Sequence, residues 1–133
     1  MIKKMEVEDI AKILKFDDPV FEDTFPCAVG DWVQFLMQHV DNPKLLLLGI
    51  FEDDGDFIGY VVAYNSVLLP ISRHITILYY TGNGFQDADE GIEIIKDFAT
   101  EANAESIRFQ TKKPDEFEKY GFTSYGTMMG LEI

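Results

Sequence analysis

The sequence predicts a mixed α+β fold: a sheet of six to seven strands, antiparallel in its first part, with about four helices on its faces. Three observations lead there. Two strand-forming runs, Leu45 to Phe51 and Phe57 to Asn65, are joined through Asp53-Asp54-Gly55-Asp56, whose Asp-Gly step supplies the positive φ of a hairpin turn. Farther on, a strand from His74 to Tyr80 leads into the longest helical pattern of the chain and then into another strand, the order that lays a helix across a sheet face. The length of 133 residues fits one domain over 1–133, in which roughly two-thirds of the unfolded surface is buried in a single core.

Ile2 to Glu6 reads as a short strand. Glu8 and Asp9 in a first turn, with Ile10, Ile13 and Leu14 at helical spacing, give a brief helix after it. Lys15 to Ala28 is expected to be a loop, because Asp17-Asp18-Pro19 and Phe25-Pro26 both break helices. Asp31 is placed to cap a second helix with Trp32, Phe35, Leu36, His39 and Val40 on one stripe, and Asp41-Asn42-Pro43 stops it. After the hairpin, a loop containing Pro70 and Ser72 precedes the strand from His74 to Tyr80. Thr81-Gly82-Asn83-Gly84 then turns the chain into a helix from about Asp87 to Ala104, with Ile92, Ile95, Phe98, Ala99 and Ala102 inward. Ser106 to Thr111 is a strand, Pro114 to Tyr120 a short helix, and Thr123 to Ile133 a final strand.

Eleven Lys and Arg against 24 Asp and Glu give a net charge of −13, which repels a polyanion and excludes nucleic acid as the expected partner. Two readings of this surface stay open: it keeps the protein soluble, or it steers a cationic substrate. Leu45-Leu46-Leu47-Leu48 opens the longest apolar run, but Gly49 and Glu52-Asp53-Asp54 end it too soon for a membrane span. The first residues reach Glu6 before an apolar stretch of signal-peptide length develops, so no leader is expected. Cys27 is the only cysteine; a disulfide is excluded and a reducing, cytoplasmic setting is the expectation. As a nucleophile Cys27 lacks any local signature, and a buried or half-buried bystander is the simpler reading. His39 reads as a packed residue of its stripe and His74 as a solvated strand end. No metal site is assigned, since adjacent carboxylates at a helix start usually act as caps.

Between the strand ending at Tyr80 and the long helix stands Gln86-Asp87-Ala88-Asp89-Glu90-Gly91. A helix N-terminus offers free N–H groups and a positive dipole end to an anion. Here Asp87, Asp89 and Glu90 occupy that field themselves.

Taken together, the element order and three stretches resemble the GNAT superfamily of acyl-CoA-dependent N-acyltransferases along nearly the whole chain. Ile2-Lys3-Lys4-Met5 with Glu8-Asp9 and Ile13 is similar to the opening strand and helix of that family. Leu48-Gly49-Ile50-Phe51-Glu52 with Asp54-Gly55-Asp56-Phe57-Ile58-Gly59-Tyr60 is similar to its central hairpin, and Phe117-Glu118-Lys119-Tyr120-Gly121-Phe122 to its carboxy-terminal signature. The resemblance implies acetyl transfer from acetyl-CoA to a small-molecule or peptide amine, with neither nucleic acid nor membrane as partner and a homodimer allowed. It also implies site residues. The backbone of Tyr79, Tyr80 and Thr81 would hold the pantetheine arm. Gln86, Asp87, Ala88, Asp89, Glu90 and Gly91 would hold the pyrophosphate, and Pro26 to Phe35 would form the acceptor wall.

Two positions depart from the family pattern. Aligned back from Ile94-Ile95, Asp89 falls where the first glycine of the cofactor loop belongs. A like-charge pair at ~4 Å costs about 4 kcal/mol at an effective dielectric of 20, so coenzyme A binding is expected to be weak or lost, and a non-catalytic GNAT-fold interaction protein is the alternative. A second frame puts the cradle on Gly82-Asn83-Gly84. In the carboxy-terminal signature, Phe117 stands where the proton-donating Tyr usually is. Tyr120, one turn later, is the substitute acid or a packed aromatic, and Tyr79 is the second catalytic candidate. Tyr79 and Tyr80 point to opposite faces by the strand period, so one of them at most faces the cleft. An acyl-CoA slot requires the strand from His74 to part from its neighbour near Tyr79, partly closed by Phe117; a continuous ladder from Ile75 through Thr81 contradicts it.

Overall fold

The computed structural model describes residues 1–18, 21–81, 88–111, 114–124, 126 and 129–132; the side chains of 22, 23 and 88 are not described. Its elements are β1 (Ile2–Lys4), α1 (Val7–Ala11), a 3₁₀ turn (Lys12–Lys15), α2 (Phe21–Thr24), α3 (Val29–Gln38), β2 (Leu45–Phe51), β3 (Phe57–Asn65), β4 (His74–Tyr80), α4 (Ala88–Glu101), β5 (Ser106–Arg108) and α5 (Asp115–Glu118). Five strands form one sheet in chain order, β1-β2-β3-β4-β5. The first three junctions are antiparallel and β4 with β5 is parallel.

The hairpin forms as predicted. Gly55 has φ +93°, and the Asp56 N–H donates to Asp54 Oδ1 at 3.0 Å, so the Asp-Gly pair makes the turn. β2 is buried from Leu46 through Phe51 because helices cover both faces of the sheet, which is why its sequence runs apolar without alternation. One face packs Ile10, Ile13, Phe21, Trp32, Val33 and Leu36 of the first helices on Leu47, Tyr60, Val62 and Tyr79. The other packs Ile95 and Ala99 of α4 on Leu46, Leu48, Ile50, Val61, Ala63, Ile75 and Ile77. Tyr79 and Tyr80 do fall on opposite faces.

Several boundaries differ from expectation. β1 stops at Lys4, because the Glu6 N–H is turned into α1, where it donates to Asp9 Oδ2 at 3.0 Å. The predicted loop from Lys15 to Ala28 contains α2, whose Phe21 packs with Phe25, Trp32 and Tyr79; tertiary aromatic contacts hold a turn that local sequence does not specify. Asp31 lies in the first turn of α3, and Ala28 takes the cap position. β5 ends at Arg108, well short of Thr111, and α5 covers only Asp115–Glu118. The expected final strand is absent among the described residues of 123–132, where Met129 and Leu131 are exposed, so the sheet has five strands among the described residues, below the six to seven predicted.

Candidate functional site

β4 is the scaffold of the site. β5 pairs with it only at His74↔Ser106, Ile75↔Ile107 and Thr76↔Arg108, after which β4 runs on to Tyr80 with β3 beside it. On the β3 side the register slips between Val62 and Ala63, which face Tyr79 and Ile77, leaving Leu78 as the extra residue of a bulge. A bulge bends its strand, sharpens the local twist and re-aims the side chains next to it. Among the described residues the β4–β5 ladder ends at Thr76↔Arg108, earlier than the position near Tyr79 that the sequence suggested, and no continuous ladder against β5 reaches Thr81.

Tyr79 follows the bulge and enters the α1–α3 face, 5% exposed. Its ring lies 5.1 Å from Phe25, 5.6 Å from Tyr60 and 5.9 Å from Phe21, and its hydroxyl donates to Asp18 Oδ2. Burial, then the bond to Asp18 and the charge of that carboxylate, raise the Tyr79 pKa well above the phenol range, so the hydroxyl keeps its proton. Tyr60 beside it accepts a hydrogen bond from Trp32 Nε1 at 3.0 Å, and burial raises its pKa as well.

Tyr80 points the other way. Its Oη lies 2.7 Å from Thr111 Oγ1, past the end of the β4–β5 ladder, and its ring stands 5.5 Å from Phe117 and 5.9 Å from Phe109. Phe117 is 3% exposed and also meets Phe109 and Phe122, at 4.8 and 6.2 Å. The position that lacks a phenol in the signature is thus packed directly on one. Thr81 is buried, and its N–H already donates to the Tyr60 carbonyl at 3.1 Å.

Gln86, Asp87 and the alternative Gly82 to Gly84 cradle lie outside the described residues. Ala88 opens α4, with Asp89 and Glu90 exposed in its first turn. Gly91 is buried against β1: a Cβ there would stand 3.3 Å from Ile2 Cδ1, so close helix–strand packing accounts for this glycine. Between α4 and α5 lies a groove of about 320 Å³ lined by Asp89, Ile92, Glu93, Lys96, Lys119 and Tyr120. Tyr120 therefore joins the cofactor-loop side, apart from Tyr79. The groove also brings cations near Asp89, since Lys96 lies two turns along the same stripe of α4 and Lys119 follows α5.

His74 is half-buried at the strand entrance, its Nδ1 3.1 Å from Ser72 Oγ; desolvation, then the Arg108 charge, lower its pKa. Cys27 is half-buried, and the His39 ring packs 4.5 Å from Phe35. Among the described residues no group of three or more His, Cys, Asp or Glu is arranged to hold a metal ion, and no helix is long and apolar enough to cross a membrane. Sequence reasoning missed Asp18, Lys96, Lys119 and the Tyr80–Thr111 contact. Asp18 had no local signal, for it meets Tyr79 across 61 positions of chain.

Neither a protein-family model nor a curated protein sequence matches the chain. Solved structures do. The aminoglycoside 6'-N-acetyltransferase AAC(6')-Ih from Acinetobacter baumannii superposes with a TM-score of 0.77 at 10% identity, over 100% of this chain and 97% of that one. AAC(6')-Iy in complex with the bisubstrate analogue CoA-S-monomethyl-acetylneamine gives 0.75 at 12% identity, over 100% and 97%. Glucosamine-6-phosphate N-acetyltransferase from Arabidopsis thaliana gives 0.66 at 13% identity, over 99% and 97%. The chain has the GNAT fold.

Proposed function

We propose that the protein is an acyl-CoA-dependent N-acyltransferase that moves an acetyl group to an amine by direct attack, as one domain over 1–133 in a reducing, cytoplasmic setting. The end of the β4–β5 ladder carries this reading: its rungs stop at Thr76↔Arg108, and beyond the bulge β4 sets Tyr79 on one face and Tyr80 on the other. The fold shared with N-acetyltransferases, one of them in complex with a CoA bisubstrate analogue, supports it.

Acetyl-CoA, when bound, supplies a thioester whose carbonyl carbon is the electrophile. This chain's own residues do the rest. Tyr79, Tyr80 and Thr81 offer the strand edge to the pantetheine arm in the manner of an added strand. Gln86, Asp87, Ala88, Asp89, Glu90 and Gly91 hold the pyrophosphate, with Lys96 and Lys119 offsetting the Asp89 charge. Asp18 receives the substrate ammonium, which sheds a proton to solvent before the neutral amine attacks the thioester carbonyl, and Tyr79, kept protonated, fixes that carboxylate in place. Tyr80 brings a hydroxyl beside Phe117 and stands in for the proton donor missing there, in preference to Tyr120 on the α4 groove. Positioning contributes most of the rate. The acidic surface draws a cationic amine toward the cleft.

A second reading, a non-catalytic interaction protein on the same fold, is favoured by one observation: Tyr80, Phe109, Phe117 and Phe122 fill the α4 side of the opening and Tyr80 is tied to Thr111. Calorimetric titration with acetyl-CoA, followed by an acetylation assay on a panel of amines, separates the two. Binding with turnover that falls about 10²-fold in Asp18→Asn is expected for the enzyme. Absence of binding heat at millimolar acetyl-CoA leaves the interaction reading.

A further inference from the structure

The α1–α3 face carries another opening, about 390 Å³, lined by Lys12, Lys15, Phe16, Asp17 and Phe57. Its floor is aromatic. Phe16 and Phe57 meet edge to face at 5.3 Å, Phe57 lies 6.1 Å from Tyr60, and Tyr60 is the neighbour of Tyr79 at 5.6 Å. Its rim is cationic. Lys12 and Lys15 stand three apart in the 3₁₀ turn, a spacing that eclipses their side chains on one side. Lys3 joins them from β1: its Nζ lies 4.6 Å and that of Lys12 5.2 Å from the centre of the same Phe51 ring, itself 5.7 Å from Phe57.

Three ammonium groups thus gather in a chain of net charge −13. Asp17 lines the same opening, Asp9 lies 3.4 Å from Lys12, and Asp18 is the next residue along the chain. Charges beyond about 8 Å are largely screened at physiological salt, so the placement of these groups rather than the net charge of the chain decides what binds: lysines on the rim and the Asp18 carboxylate farther in.

The opening is one residue step from the reacting centre. Asp17 forms its wall, while Asp18, with its Cα ~3.8 Å farther along, meets the Tyr79 hydroxyl. We propose that the acceptor is a short molecule with an amine at one end and a carboxylate or phosphate at the other. Lys12 and Lys15 hold the anionic end, Phe16 and Phe57 cover the spacer, and Asp18 takes the ammonium. A polycation, which net charge alone suggests, is disfavoured at this groove. The assignment rests on the acyltransferase reading and narrows its substrate class.

The test titrates the full chain, followed by amide NMR shifts, with three probes of one length: propylamine, 3-aminopropanoate and 3-aminopropyl phosphate. Exposed ion pairs are individually weak, so a Kd about 3- to 10-fold lower for one or both anionic probes is expected, with shifts centred on Lys15, Asp17, Asp18 and Phe57. The two anionic probes separate carboxylate from phosphate as the preferred end. In Lys12→Gln/Lys15→Gln that preference should vanish, and in the parent it should shrink with added salt. Equal affinity for all three probes, shifts centred elsewhere, or no titration by any probe overturns the proposal. Acetyl-CoA calorimetry on the same sample reports separately: if it is silent while the probes titrate as expected, the acyltransferase reading fails and the groove stands.

Discussion

Tyr60 and Tyr79 are two phenols whose folded pKa values lie above the ordinary 10, chiefly because burial disfavours the phenolate. The sign of the consequence follows from proton counts. Above about pH 10 the unfolded chain releases protons that the folded chain retains, so stability present below that pH is lost as pH rises through the folded values, by at most about 1.4 kcal/mol per pH unit for each group. Urea unfolding between roughly pH 8.5 and 11 is expected to show this fall, and Tyr60→Phe to make it shallower; a flat profile contradicts it. At the same centre Tyr79→Phe removes a donor from Asp18 and should cost about 1–2 kcal/mol in denaturant melts, whereas Asp18→Asn, which still accepts the bond, should cost less than that while lowering kcat/KM. Tyr79 was legible in the sequence as one of two strand tyrosines on opposite faces. Asp18 was not, because Asp17-Asp18-Pro19 reads only as a helix breaker until the fold brings it across the sheet.

At the level of elements, the hairpin was legible because one dipeptide determines it: Asp54-Gly55 fixes the turn, and the turn fixes the register of β2 on β3. Gly49 in β2 belongs to the same logic of close approach. A Cβ there would stand 2.7 Å from Phe51 Cε2 and 3.1 Å from Met5 Cγ, so Gly49→Ala should lose about 1–3 kcal/mol by overpacking, read from the shift in urea midpoint. α4 was legible in its stripe and misjudged in its surroundings, since Lys119 is added to the stripe of Asp89 and Lys96 only when α5 docks beside it. That groove sharpens a test of the cofactor loop. Asp89→Gly replaces an acid that suits a helix start with a poor helix former, so the fold should lose about 1–2 kcal/mol while acetyl-CoA binds at least tenfold tighter by calorimetry. Unchanged affinity in a parent that binds moves the cradle to Gly82 to Gly84. The short β5, and the absence of a final strand among the described residues of 123–132, were not legible, because how far a strand pairs is set by its neighbour and leaves no mark in the segment itself.

Over the whole molecule, an excess of 13 negative charges means that the compact state repels itself. Raising NaCl from about 20 to 500 mM is therefore expected to increase the melting temperature, and a decrease contradicts the self-repulsion account. Fold class was readable from element order because every strand of the sheet lies beside its predecessor, so sequence order and spatial order coincide. That same ordering divides the molecule unevenly. β2, β3 and β4 are joined by long antiparallel ladders, whereas β5 meets them through a parallel ladder of three pairs at the edge of the sheet, helped by Tyr80 and the aromatic cluster around Phe117. A region held that lightly opens as its own cooperative unit, at a free energy below that of global unfolding. Hydrogen exchange should therefore release the amides of Ile107 and Arg108 long before those of Leu47 and Val62, and a dilute protease should trim the carboxy-terminal segment to leave a resistant four-stranded remnant.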